Sequence, residues 1–346
     1  MFFQPYVRAI RQNYARWWEV YTVTDVRGRE WQNVPANEAL EHPALLFDFG
    51  LKVQTVTREE VQPETRDETQ PKQREEPREK IEQLPVLEGL RKYAFDEKTR
   101  HLLLVGRPGS GKSTALARLL LEESRQPSGT IPVLVELRYW QTSIEALMLD
   151  FFRRHELNLS NAELESLLSA NQLLVLMDGT NELPSEEARS QLAAFRRQYP
   201  RVPAIFTTRD LNLGGDFGIE KKLEMQPLTE TQMQAFVRAY LPERGEALLQ
   251  QLQGRLREFG KTPLLLWMLC EVVCQSPDAR LPSNLGGIFQ VFARSYELSS
   301  VRKHEVAALK GDTKPLSDRR LWGKALEHLA WVMMGGEKPV ELRVAI

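Results

Sequence analysis

Between residues 101 and 208 the chain alternates short apolar runs with amphipathic stretches. Residues 101–105, 131–137, 173–177 and 202–207 are near-continuous apolar runs, and each predicts a strand buried on both faces. The first run leads into a helix starting near Lys112. Ile144, Leu147, Met148, Phe151 and Phe152 recur at helical spacing after Ser143, and Ala188, Leu192, Phe195 and Tyr199 do the same. Buried strands alternating with amphipathic helices predict a parallel sheet covered on both faces. From Thr229 the pattern becomes all-helical. Thr229 and Gln232 have the spacing of a capping box, and Met233, Phe236, Val237 and Tyr240 share one face. Further helical patterns run through 248–259, 263–274, 288–298 and 321–334.

The beginning of the chain reads differently. Tyr6, Val7, Ile10, Tyr14, Trp17, Trp18 and Tyr21 form one aromatic helical face, which suits packing better than chemistry. Phe47, Phe49, Leu51 and Val53 alternate with polar or small residues and predict a strand. Residues 58–84 then hold 15 charges in 27 positions and three prolines. Such a stretch buries too little apolar surface to offset its ordering entropy, so a charged flexible linker is expected there.

Composition narrows the classes. The 346 residues carry 46 Lys and Arg against 47 Asp and Glu, a formal net charge of -1. Nothing in that balance draws in nucleic acid or anionic lipid. The only cysteines are Cys270 and Cys274, one helical turn apart, so neither a disulfide scaffold nor a Cys-based zinc site is expected. No apolar run reaches the length of a membrane span, and the first residues do not read as a signal peptide. The expectation is a cytoplasmic protein with no membrane partner.

The chemistry is concentrated in three places. Gly106, Arg107, Pro108, Gly109, Ser110, Gly111, Lys112, Ser113 and Thr114 match the phosphate-binding pattern G-x-x-x-x-G-K-[ST], between a strand and a helix as that pattern requires. The glycines let backbone N–H groups turn inward, and the helix N-terminus adds positive potential. Lys112 is placed to reach the β- and γ-phosphates, and Ser113 to ligate Mg²⁺. The 173–177 run ends in Asp178, which parallel packing carries to the same sheet edge as a second Mg²⁺ residue. Glu182 is a candidate to polarise the attacking water; the alternative is a surface glutamate at a helix start. Arg209, after Thr207 and Thr208, is a candidate sensor of the γ-phosphate; the alternative is a surface salt bridge.

With these motifs on the page, the sequence resembles a NACHT-domain protein of the STAND class of signalling NTPases, which includes NOD-like receptors and many bacterial proteins. The resemblance rests on 106–114, 131–138, 176–183 and 207–209, and on Thr262-Pro263-Leu264-Leu265-Leu266, whose proline in the family packs near the adenine. It spans about 84–334. It implies a P-loop NTPase domain at 85–227, a helical domain at 228–303 and the start of a winged-helix domain at 304–346; ahead of them the residue patterns themselves set a small α+β module at 1–57 and the linker at 58–84. It implies ATP or ADP with Mg²⁺, slow hydrolysis that resets a switch, self-association through the NACHT domain in the ATP form, and a role in defence against phage or in stress signalling. Trigger and effector stay unnamed. Asn181 stands where the family usually has a second aspartate, which leaves Glu182 as the main base candidate. Two other readings compete. A mechanical AAA+-like ATPase remodelling protein or nucleic acid would need a pore loop and fast turnover. A GTPase would need a guanine motif, and the sequence around Thr313-Lys314 lacks its final Asp.

Overall fold

The computed structural model describes residues 3–15, 51–58, 79–125, 129–209, 217–276, 278, 280–282 and 286–291. The expected aromatic positions Trp17, Trp18, Tyr21, Phe47 and Phe49, most of the expected linker, and the expected winged-helix segment with its 321–334 helix lie outside them. The contacts divide the chain into two units, 1–281 and 282–346. In the second, residues 286–291 are helical, with Ile288 buried.

The first unit is built on one seven-stranded sheet. Its strands are β1 (Lys52–Arg58), β2 (Glu79–Pro85), β3 (His101–Val105), β4 (Ile131–Glu136), β5 (Leu173–Asp178), β6 (Ala204–Thr208) and β7 (Lys221–Met225). They lie in the order β2-β1-β7-β3-β6-β5-β4. The five strands from β7 to β4 are mutually parallel. Every position of β3 and β6 is buried, as is every position of β5 except Asp178. Continuous apolar strands need cover on both faces, and the crossover helices supply it. These include α2 (Val86–Ala94), α3 (Lys112–Arg125), α4 (Ile144–Arg154), α5 (Asn161–Ser169) and α6 (Glu186–Gln198). Ser143, Ser160 and Ser185 cap the last three, each accepting from a backbone N–H three residues on.

The structure corrects the expected N-terminal boundary. β1 pairs antiparallel with β7, Val53 opposite Met225, and β2 pairs antiparallel with β1. The sheet is therefore mixed. Glu79 to Leu84, within the expected linker, form most of β2, and Arg58 ends β1. The physical reason is period-two burial: Leu51, Val53 and Thr55 are buried while Lys52 is exposed. β2, though charged, pairs along the whole length of β1, so the ladder orders it rather than apolar burial of its own. Gly89 of α2 permits the close fit, since a Cβ there would lie 2.8 Å from Val53 Cγ2.

The first helix, α1 (Gln4–Asn13), also belongs to this unit and packs against α3. Beyond β7, α7 (Glu230–Tyr240) starts with the expected capping box of Thr229 and Gln232. The expected 248–259 helix is two helices, α8 (Gly245–Gln251) and α9 (Arg255–Gly260), divided at Gly254. Last comes α10 (Pro263–Gln275), with Pro263 in its first turn, where the missing N–H costs nothing. Among the described residues no helix is long and apolar enough to cross a membrane.

Candidate nucleotide site

The strand order places β3 between β7 and β6, so the chain leaves the C-terminal end of β3 where successive crossovers diverge. Open α/β sheets carry ligands at such a point. The loop there is Gly106–Gly111, between the end of β3 at Val105 and the first residue of α3, Lys112. Gly106 and Ser110 are buried, Arg107 and Pro108 exposed, and Gly109, Gly111, Ser113 and Thr114 half-buried. Gly109 has φ +76, a conformation that L side chains rarely adopt.

The loop fits a phosphate. Ser110 Oγ is buried without a hydrogen-bond partner among the described residues. Lys112 is also buried, its ammonium donating to Gly106 O at 2.6 Å and Arg107 O at 3.2 Å. Burial pushes the Lys112 pKa down to about 8. The Asp178 and Glu182 charges oppose that shift, and Arg209 adds to it. All three groups expected on the phosphate side therefore act on this one ammonium.

Asp178 ends β5, and the loop after it is stitched to the end of β6. Thr207 Oγ1 donates to Asp178 Oδ1 at 2.6 Å and accepts from Gly179 N at 2.8 Å. Thr180 Oγ1 donates to Thr207 O at 3.1 Å, and Arg209 N donates to Asn181 Oδ1 at 3.1 Å. Gly179 turns the chain at φ +83, where a Cβ would press on Glu182 Oε2 at 3.0 Å. Arg209 Nη2 meets Glu182 Oε1 at 2.5 Å. The two candidate catalytic residues are thus brought together, and the salt-bridge alternative for Arg209 is realised with Glu182 itself as partner.

Three site features escaped the sequence reading. Glu136 ends β4 opposite Asp178 and is ion-paired with Arg138. Burial first, then the Asp178 charge, push its carboxyl up to about 7, with Arg154 opposing and Glu182 assisting. Thr207 is the hub of the stitching. Leu264, in the first turn of α10, donates its N–H to Gly109 O at 3.2 Å, and a Cβ on Gly109 would lie 2.8 Å from Leu264 Cβ. The signal available for Glu136 and Thr207 was position: each stands at or next to the C-terminal end of a parallel strand. Pro263 is buried beside Leu264.

Among the described residues no group of three His, Cys, Asp or Glu side chains could hold a metal ion. Mg²⁺ needs no such group, since it binds through one or two protein groups plus phosphate and water. Ser113, on the first turn of α3, and Asp178 are the residues that would hold it.

Residues 100–244 match the family model described as NACHT domain. A search of curated proteins finds no match. Among solved structures, C. elegans PCH-2 is 15% identical over 61% of this chain and 66% of its own, with a TM-score of 0.36. Domain III of the Thermotoga maritima replication initiation protein DnaA is 11% identical over 60% and 89%, with a TM-score of 0.36. Drosophila ORC bound to DNA is 12% identical over 72% and 78%, with a TM-score of 0.37. This chain spans just under two thirds of the PCH-2 chain. With its phosphate loop on β3 and the matched segment running from the start of that strand, the part of the chain at 100–244 is a NACHT domain, a P-loop NTPase.

Proposed function

We propose that the chain is an ATP-binding switch of the STAND type, in which slow hydrolysis returns an ATP form to an ADP form. The observation that carries this reading is the junction of Leu264 with Gly109. The N-terminus of α10 rests on the phosphate loop itself, so a change in that loop would bear directly on α10. The Glu182–Arg209 pair supports it, since the candidate base and the candidate phosphate sensor hold each other.

In this reading the loop N–H groups of 106–111 and Lys112 bind the β- and γ-phosphates. Ser113 and Asp178 would hold Mg²⁺, which would neutralise charge on those phosphates. Glu182 orients water, and Arg209 leaves it for the γ-phosphate. Pro263 lies near the adenine. The ATP form self-associates through the NACHT domain. A cytoplasmic role in defence or stress signalling is the biological setting that the NACHT resemblance suggests.

The test is single-turnover hydrolysis beside light scattering of the full chain with ADP and with a non-hydrolysable ATP analogue. Slow hydrolysis and a larger mass only with the analogue are expected. Turnover of roughly 1–100 s⁻¹ without a mass change would overturn the switch and favour a mechanical ATPase.

A further inference from the structure

The β5–β6 ladder is regular from Val175 opposite Ala204 to Met177 opposite Phe206. Asp178 and Thr207 come next, and there a side chain replaces the backbone pairing. Gly179 turns away in the left-handed region, and its N–H is taken by Thr207 Oγ1. A hydroxyl has one hydrogen and two lone pairs. With a lone pair engaged by Gly179 N–H, the single hydrogen of Thr207 goes to Asp178 Oδ1. Thr207 is only 1% exposed, so water does not compete for these bonds. Thr180, fully buried, clamps the Thr207 carbonyl in turn.

We infer that Thr207 is a positioning residue for the divalent cation. By anchoring Asp178 Oδ1 from inside the sheet, it fixes the rotation of the carboxylate and so the direction that its other oxygen presents. This rests on the reading of Asp178 as a Mg²⁺ residue. A carboxylate free to rotate would lose orientational entropy on meeting a cation; one already anchored does not. Outer partners of metal ligands commonly matter to metal affinity by about tenfold to a hundredfold.

The test uses the full chain with ADP, and Mn²⁺ as the probe, its binding followed by electron paramagnetic resonance. ADP affinity in EDTA is measured alongside. The variants are Thr207→Val, Thr207→Ser and Asp178→Asn. Thr207→Val is expected to weaken Mn²⁺ about tenfold while leaving ADP affinity in EDTA within about twofold of wild type. Thr207→Ser, which keeps the hydroxyl, should restore Mn²⁺ affinity. Equal Mn²⁺ affinity in Thr207→Val and wild type overturns the inference. So does a parallel loss of metal-free ADP binding, or a failure of Thr207→Ser to restore the metal, since either would mark Thr207 as merely structural. Asp178→Asn separates the two layers. If it weakens Mn²⁺ and Thr207→Val does not, only the role of Thr207 falls. If it leaves Mn²⁺ untouched, the assignment of Asp178 falls as well.

Discussion

Arg209 Nη2 lies 2.5 Å from Glu182 Oε1, so the candidate base and the candidate γ-phosphate sensor hold each other. The link is reinforced from the backbone, where Arg209 N donates to Asn181 Oδ1. Asn181 looks like a lost carboxylate in the sequence. In the structure its amide oxygen accepts from the backbone of Arg209, the residue paired with Glu182.

Glu182→Gln should therefore slow hydrolysis by about 10²–10⁴-fold, the usual cost of losing a positioned base, with ATP affinity nearly unchanged. Stability should change little. The Arg209 side chain is 55% exposed, and pairs so exposed contribute only about 0–1 kcal/mol. Single-turnover kinetics and a melting curve on the same sample check both halves. A wild-type rate would remove Glu182 from the base role.

Lys112→Ala should weaken Mg-ATP binding roughly tenfold to a hundredfold, since it removes a charge-assisted contact worth about 1.5–3 kcal/mol. The wild-type chain should also show a pH dependence. Burial holds the free Lys112 near a pKa of about 8, whereas phosphate favours its charged form. Below about pH 8 the lysine is already charged and affinity is level with respect to this group. Above it, binding must take up a proton, and affinity falls by up to about tenfold per pH unit. Titration calorimetry at pH 9 in buffers of different ionisation enthalpy would show that uptake. Its absence would mean that the ammonium stays charged in the free protein.

The parallel core was legible because its strands are uniformly apolar and its helices periodic. β3, α3, α4, β5, α6 and α7 fall close to where the spacing puts them. What failed to show has a common cause. β7 reads Lys-Lys-Leu-Glu-Met and buries only Leu223 and Met225, so it lacks the apolar run of its neighbours. β1 buries one face only, and β2 carries charges yet pairs along the whole of β1, so composition alone mistakes a paired edge strand for a tether. Gly254, at φ +54, breaks a helical pattern that looks continuous by spacing. In the site, the phosphate loop and Asp178 were readable from local motifs. Glu136, Thr207 and the Leu264 contact were not, because their roles come from pairings between strands and from a helix more than 150 residues away in sequence.

Glu136→Gln should stabilise the protein at alkaline pH. Burial raises its pKa from 4.5 to about 7, so the native state holds this proton more tightly than the unfolded chain does. Stability from this group is therefore highest below about pH 4.5 and is lost as pH rises through 7. The full shift corresponds to about 3 kcal/mol, and loss of the Arg138 partner offsets part of it in the variant. A gain of about 1–3 kcal/mol in urea unfolding at pH 8, vanishing at pH 5, is the expected pattern. A variant less stable at both pH values would show that the ion pair outweighs burial.

The first helix supplies the last test, because the sequence sets residues 1–57 apart as a module whereas the structure packs α1 onto the nucleotide domain. Tyr6 is fully buried, its hydroxyl donating to Pro132 O at 2.5 Å and its ring lying against Phe151 and Phe152. Arg11 donates from Nε and Nη2 to Ser124 O, in the last turn of α3, where a cation also complements the helix dipole. The same helix begins at Lys112. Tyr6→Phe leaves a buried carbonyl on β4 without this donor and should cost about 1–3 kcal/mol. Tyr6→Ala adds a cavity and should cost about 3–5 kcal/mol. Arg11→Ala should cost about 0.3–1 kcal/mol at low salt and less at high salt. If α1 were an independent module, these changes would leave the main unfolding transition in place, and deletion of residues 1–15 would not move it. As an integral layer, α1 should shift that single transition in the order Tyr6→Ala, Tyr6→Phe, wild type.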